Sequence, residues 1–275
     1  LLAFCFVHII PMGKALYYSF TDWNGYQADA KFVGLKNFKT LFHDPSVGQS
    51  VVVSLIFVFV SVVFINIFAV LFAVLLRKAS TWTGLYRSVF FMPIVISPVA
   101  VAFIWRSMYS YDGLFNYMLN MLHITSQHPG WLTDSKLALL SVIIVNIWRS
   151  TGFHMVIILA ALTTIPKELY EASEIDGCSP WQKFKFVTYP LLMPGLTLSV
   201  ILSTISSLKQ YDLVAVLTDG GPVNATKVLS IKIIQDAFRY NQSGYASAIS
   251  FILLFGILAV TILQHMILKK REVEY

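Results

Sequence analysis

From Val51 to Leu76 the chain carries no charged residue. An uninterrupted apolar run of that length crosses a hydrocarbon core roughly 30 Å thick and is too greasy for the surface of a water-soluble fold. Further apolar blocks give spans at Leu1–Phe20, Tyr86–Met108, Leu137–Thr163, Tyr189–Leu208 and Tyr245–Leu268. Composition agrees: 57% of the 275 residues are hydrophobic and only 12% charged, against about a quarter charged in soluble domains. Backbone groups in lipid must be satisfied within the segment, so the spans are read as helices. The expected fold is an all-α membrane protein of about six transmembrane helices in one domain, residues 1–275. Because the apolar run is already under way at Leu1, part of the first span is expected to precede it.

The formal charge of +6 does not indicate nucleic acid, because the basic residues sit singly or in small groups at the ends of apolar blocks. That pattern is a topology signal. Nine of them, Arg77, Lys78, Arg87, Lys167, Lys183, Lys185, Lys269, Lys270 and Arg271, fall in short loops. Their density puts the loops after spans two, four and six in the cytoplasm. The two cysteines, Cys5 and Cys178, give neither a disulfide framework nor metal-ligand spacing. No GxxxxGK[ST] loop, HExxH, CxxC or GxSxG motif occurs, so ATP is not held by a phosphate loop of this chain. Catalysis, a metal and a cofactor are not expected.

Between spans four and five, residues 165–185 read as two short helices meeting at a bend. Pro166 suits a first helical turn, and Gly177 the left-handed position that ends a helix. Ser179, Pro180 and Gln182 form a capping box for a second helix. On helix signals alone this is either an amphipathic connector on the membrane surface or a rigid element that transmits force.

Glu171-Ala172-Ser173, Asp176-Gly177, Trp181-Gln182-Lys183-Phe184 and Tyr189-Pro190-Leu191-Leu192-Met193-Pro194 resemble the EAA loop of ABC-importer permeases. Tyr18 to Trp23, Phe32 to Phe38, Trp131 to Asp134 and Gly220 to Thr226 resemble the carbohydrate branch, in particular the subunit equivalent to the larger maltose permease. The resemblance implies a type I ABC-importer permease fold in which residues 165–185 form the cytoplasmic coupling helix. Glu171, Ala172, Ser173, Asp176 and Gly177 would then meet the ATPase, with Ser173 in place of the usual second alanine. It also implies a heterodimer with a second homologous permease, two ATPase subunits, an external sugar-binding protein and the bacterial inner membrane.

Polar side chains within spans are costly and therefore informative. Asn146 and Arg149 lie on span four. Ser199, Ser203, Ser206 and Gln210 make one polar stripe on span five, with Ser207 at its edge. Such a stripe serves either helix packing or a path for sugar hydroxyls. By resemblance to the maltose permease, Asn146, Ser203, Ser206, Ser207 and Gln210 fall at sugar-contact positions. Arg149 is a further candidate contact that would select an acidic sugar or a glycerol phosphate. An ion-coupled secondary transporter is the rival class, but the spans carry no Asp or Glu for a coupling ion. Outside, residues 226–240 are expected to form a short helix with Ile231, Ile234 and Phe238 on one packed face.

Overall fold

The computed structural model describes residues 2–27, 29–77, 82–124, 128–270 and 272. Lys78 and Arg271 of the basic set lie outside them.

Among the described residues four helices are long and apolar enough to cross a membrane: Pro45–Leu75, Ser135–Thr163, Pro180–Leu208 and Ser243–Lys269. Asp44 caps the first by accepting from the Ser46 N–H at 2.8 Å, and Asp134 caps the second through the Lys136 and Leu137 N–H groups. The span expected at Tyr86–Met108 is broken. Thr83–Val95 and Pro98–Met108 meet at 97°, because Pro98 forces Ser97 into an extended conformation with ψ 133°. A sixth helical stretch, residues 2–19, carries a π-turn at Cys5–Ile9 and packs on Ser243–Lys269.

Ser135–Thr163 is the central helix, packed against Pro45–Leu75, Thr83–Val95 and Pro180–Leu208. The approach to Thr83–Val95 depends on Gly152. A Cβ there would stand 1.8 Å from the Phe90 carbonyl oxygen, so the two backbones touch where a side chain is absent.

At one end of the bundle several residues that carry the family resemblance are held by hydrogen bonds across segments. Asn37 donates to the Ser19 and Thr21 carbonyls at 2.9 and 2.8 Å, and the Trp131 indole donates to Asn116 at 2.9 Å. A buried ion cluster joins three segments there. Lys232 lies 2.8 Å from Asp236 and 3.3 Å from Asp44, and the Tyr245 hydroxyl donates to Asp44 at 2.8 Å. Burial raises the Asp44 carboxyl, but the Tyr245 and Ser46 hydrogen bonds together with Lys232 outweigh it and hold Asp44 below the ordinary range. The helix expected over 226–240 runs through Leu229–Ile234 and a π-turn, Gln235–Arg239. Ile231 is buried, while Phe238 is 68% exposed. The extra residue in the π-turn swings Phe238 off the packed face.

Candidate coupling loop and substrate path

Residues 165–185 form two helical arms, Lys167–Ile175 and one that begins at Pro180. The first arm ends in a Schellman turn. The Cys178 N–H donates to the Ser173 carbonyl and the Gly177 N–H to the Glu174 carbonyl, each at 3.0 Å, and Gly177 takes the required left-handed backbone at φ +71°. Space is not the reason for glycine here, since a Cβ would meet nothing within 4 Å. The second arm opens with both bonds of the capping box: Ser179 N–H to Gln182 at 2.8 Å, and Gln182 N–H to the Ser179 hydroxyl at 3.3 Å. Lys183 closes the angle between the arms through a 2.6 Å ion pair with Glu174.

The second arm does not stop. Pro180–Lys183 continues through a π-turn, Phe184–Thr188, into Tyr189–Leu208, giving one helix from Pro180 to Leu208. The second arm of the loop is therefore the end of a membrane-spanning helix. The first arm is held to the bundle by Ile165, buried among Leu162, Ala73 and Leu192. It is held also by Tyr170, whose hydroxyl is 3.2 Å from that of Thr188 and whose ring lies 3.8 Å from the Arg77 guanidinium carbon. The Arg77 contact places the end of Pro45–Leu75 beside the loop.

Of the sequence-derived loop residues, Glu171, Ala172, Asp176 and Gly177 are exposed. Ser173 is buried and donates to the Tyr170 carbonyl at 2.7 Å, so it faces the bundle. Ile175 and Trp181 are 88% and 69% exposed, which gives the bend an apolar outer surface unusual for a solvated loop.

Deeper in the bundle a buried polar network joins three spans. The Ser199 hydroxyl donates to the Asn66 side-chain oxygen at 2.6 Å, and the Asn66 amide donates to the Ser203 hydroxyl at 3.0 Å. His154 Nδ1 lies 2.9 Å from the Ser199 oxygen; since the serine proton already points at Asn66, His154 is the donor. The sequence reading missed Asn66 and His154. Asn66 is the one strongly polar side chain in the block Val51–Leu76 and could have been found on that ground.

The network fixes the register of the two antiparallel helices Ser135–Thr163 and Pro180–Leu208. Counting four residues away from the loop along each helix from the His154 to Ser199 contact brings Ser150 level with Ser203, and eight brings Asn146 level with Ser207. Asn146 and Ser207 are both buried, yet the Asn146 amide nitrogen and the Ser207 hydroxyl have no hydrogen-bond partner among the described residues. Ser206 is exposed, Gln210 partly so. Ser203 sits behind this level, wholly buried against Asn66. Arg149 is half-buried and donates to the Ile94 carbonyl at 3.5 Å. Among the described residues no group of three or more His, Cys, Asp or Glu side chains could hold a metal ion.

A broken-span helical bundle with a helical loop at one end and buried, unpartnered polar groups on the two spans flanking it defines a multi-pass membrane protein. Residues 50–273 match the family model described as "Binding-protein-dependent transport system inner membrane component", and the chain belongs to that family. It is 33% identical over 274 residues to the probable starch degradation products transport system permease protein AmyD of Thermoanaerobacterium thermosulfurigenes, covering 100% of this chain and 92% of the relative. It is 36% identical over 246 residues to the lactose transport system permease protein LacF of Rhizobium radiobacter, covering 88% and 83%. To the trehalose/maltose transport system permease protein MalF of Thermococcus litoralis it is 35% identical over 232 residues, covering 84% and 78%. The crystal structure of a bacterial ABC transporter involved in the import of alginate has the same fold, with a TM-score of 0.84 at 20% identity over 98% of this chain and 92% of that one.

Proposed function

We propose that this chain is one permease subunit of an ATP-driven sugar importer, and that it carries an oligosaccharide through the bacterial cytoplasmic membrane. The observation that carries the reading is the pair of orphaned polar groups on Asn146 and Ser207. They are level with each other on the two spans that flank the loop, and buried groups of this kind require a partner. Sugar hydroxyls both donate and accept, which suits a face of two amides and two hydroxyls, and the relatives are named for the transport of starch degradation products, lactose and trehalose/maltose. Ser206, Ser207, Gln210 and Asn146 form the contact face, with Ser203 fixing it from behind.

In this reading the end bearing residues 165–185 is cytoplasmic. The partners are a second related permease, two ATPase subunits and an external sugar-binding protein. ATPase closure moves Glu171, Ala172, Asp176 and Gly177, and the continuous helix from Pro180 to Leu208 carries that movement to the sugar face.

Ser207→Ala tests the site. Because the hydroxyl lacks a partner among the described residues, its loss leaves thermal stability in detergent unchanged. The half-saturating sugar concentration rises about 2- to 12-fold, as expected for one hydrogen bond. The measurement is uptake by proteoliposomes holding the whole complex, offered maltotriose, lactose and raffinose. A destabilised protein with unchanged half-saturation makes Ser207 a packing residue.

A further inference from the structure

One side chain backs the sugar face without belonging to it. Asn66 interrupts an apolar helix, is 6% exposed, and lies outside the contact set Asn146, Ser206, Ser207 and Gln210. An asparagine carries an acceptor oxygen and a donor nitrogen on one short stem, and both are in use here. The oxygen accepts from Ser199 at 2.6 Å. The nitrogen donates to the Val62 carbonyl of its own helix at 2.8 Å and to the Ser203 hydroxyl at 3.0 Å. Ser203 in turn gives its proton to the Val200 carbonyl at 3.0 Å, and Ser199 accepts from His154. The result is one directed chain of hydrogen bonds from His154 through Ser199, Asn66 and Ser203 to Val200. With its proton spent within its own helix and its side chain wholly buried, Ser203 has no donor left for a sugar.

Interhelical hydrogen bonds in membranes add little to stability; what a satisfied buried network supplies is one defined arrangement of the elements it joins. Here that arrangement is the rotation and height of Pro180–Leu208. Asn66 grips Ser199 and Ser203, four residues apart and so on one face of that helix. A slip of one residue would turn this face by about 100° and break both contacts. Ser207 is the next residue of the same row, one turn or about 6 Å further along, and its hydroxyl has no partner of its own among the described residues. Its height, level with Asn146, is inherited from the grip on Ser199 and Ser203. We propose that Asn66 is a positioning residue of the sugar site: it does not touch the sugar, and it sets affinity by holding Pro180–Leu208 in the register that presents the Ser207 hydroxyl. The inference rests on the sugar-importer reading above.

The test is uptake by proteoliposomes containing the complete complex, offered maltotriose, lactose and raffinose. With a sugar that the wild type takes up, Asn66→Leu raises the half-saturating concentration about 2- to 12-fold, the range for one misplaced hydrogen bond. The maximal rate per assembled complex stays within about twofold, so the loss is in binding. Asn66→Ser, too short to reach both serines, does the same, and Asn66→Gln, which keeps both amide groups, recovers part of the affinity. A double-mutant cycle with Ser207→Ala separates positioning from other roles. Adding Asn66→Leu to Ser207→Ala raises the half-saturating concentration by less than about twofold more, because the hydroxyl that Asn66 positions is already gone. Equal multiplication in both backgrounds overturns the inference, since Asn66 then acts independently of Ser207. An unchanged half-saturating concentration in the Asn66 variants overturns it too, and a lower rate or thermal stability beside it marks a switching or packing role. Those failures leave the importer reading standing, because Ser207→Ala alone tests it. If the wild type takes up none of the three sugars, that reading fails and this inference with it.

Discussion

Replacing Gly152 with alanine is expected to remove most of the folded protein from the membrane. The added Cβ would lie 1.8 Å from the Phe90 oxygen and 2.5 Å from its carbonyl carbon. These are backbone atoms, which cannot rotate away as a side-chain tip can. Overpacking typically costs about 1 to 3 kcal/mol, and a backbone collision belongs at or beyond the upper end. Helix Thr83–Val95 would have to lift off Ser135–Thr163, carrying the Ile94 carbonyl away from Arg149. Even about 2 kcal/mol lowers cellular abundance several-fold, so the readout is the monodisperse fraction in mild detergent. Gly256→Ala is the control. It sits inside Ser243–Lys269 with nothing within 4 Å of a new Cβ, and alanine there is neutral or stabilising by about 0.5 to 1 kcal/mol. Equal yields for the two variants would show that the close approach carries no weight.

Gly177→Pro is expected to leave the bundle folded and abolish most uptake. Proline fixes φ near −65°, whereas Gly177 stands at +71° and donates its N–H to Glu174. The Schellman turn cannot form, and the arms lose the angle that Lys183 and Glu174 hold. Since Gly177 is exposed and a Cβ there would meet nothing within 4 Å, the damage stays in the loop. Coupling between two sites is typically worth about 5- to 150-fold, and uptake per complex should fall within that range while ATPase subunits remain able to hydrolyse ATP. Gly177→Asn, which tolerates the left-handed region, should retain most uptake. Equal uptake in the proline and asparagine variants would separate the turn from transport.

These two glycines differ in how far they could be read from the sequence. Gly177 was legible because a helix stop followed by Ser179, Pro180 and Gln182 is a local pattern, and both predicted capping bonds are present. Gly152 was not, because nothing in its own neighbourhood states which backbone will lie against it. The same distinction runs through the spans. Apolar length gave the existence of the spans and most of their ends, although Pro45–Leu75 and Pro180–Leu208 begin well before their apolar blocks. Pro98 accounts for a break at Ser97, but the 97° angle at which the two halves meet is a tertiary fact that no local pattern states. Span five and the second arm of the loop were read as separate elements. The π-turn Phe184–Thr188 fuses them, and a π-turn has no strong sequence signature. The period of Ser199, Ser203 and Ser206 was visible, but not that Asn66 and His154 would take up the first two. Partners across a bundle are a tertiary fact.

The account depends on the bend at residues 165–185 meeting an ATPase and driving the helix that begins at Pro180. The direct measurement places a photo-crosslinking residue at Ile175, and separately at Trp181, in the intact complex in its native membrane. Both side chains are exposed on the loop. The account predicts cross-links to an ATPase subunit whose yield changes when a non-hydrolysable ATP analogue is added. Cross-links to the external binding protein, or none to any ATPase in either nucleotide state, would contradict it.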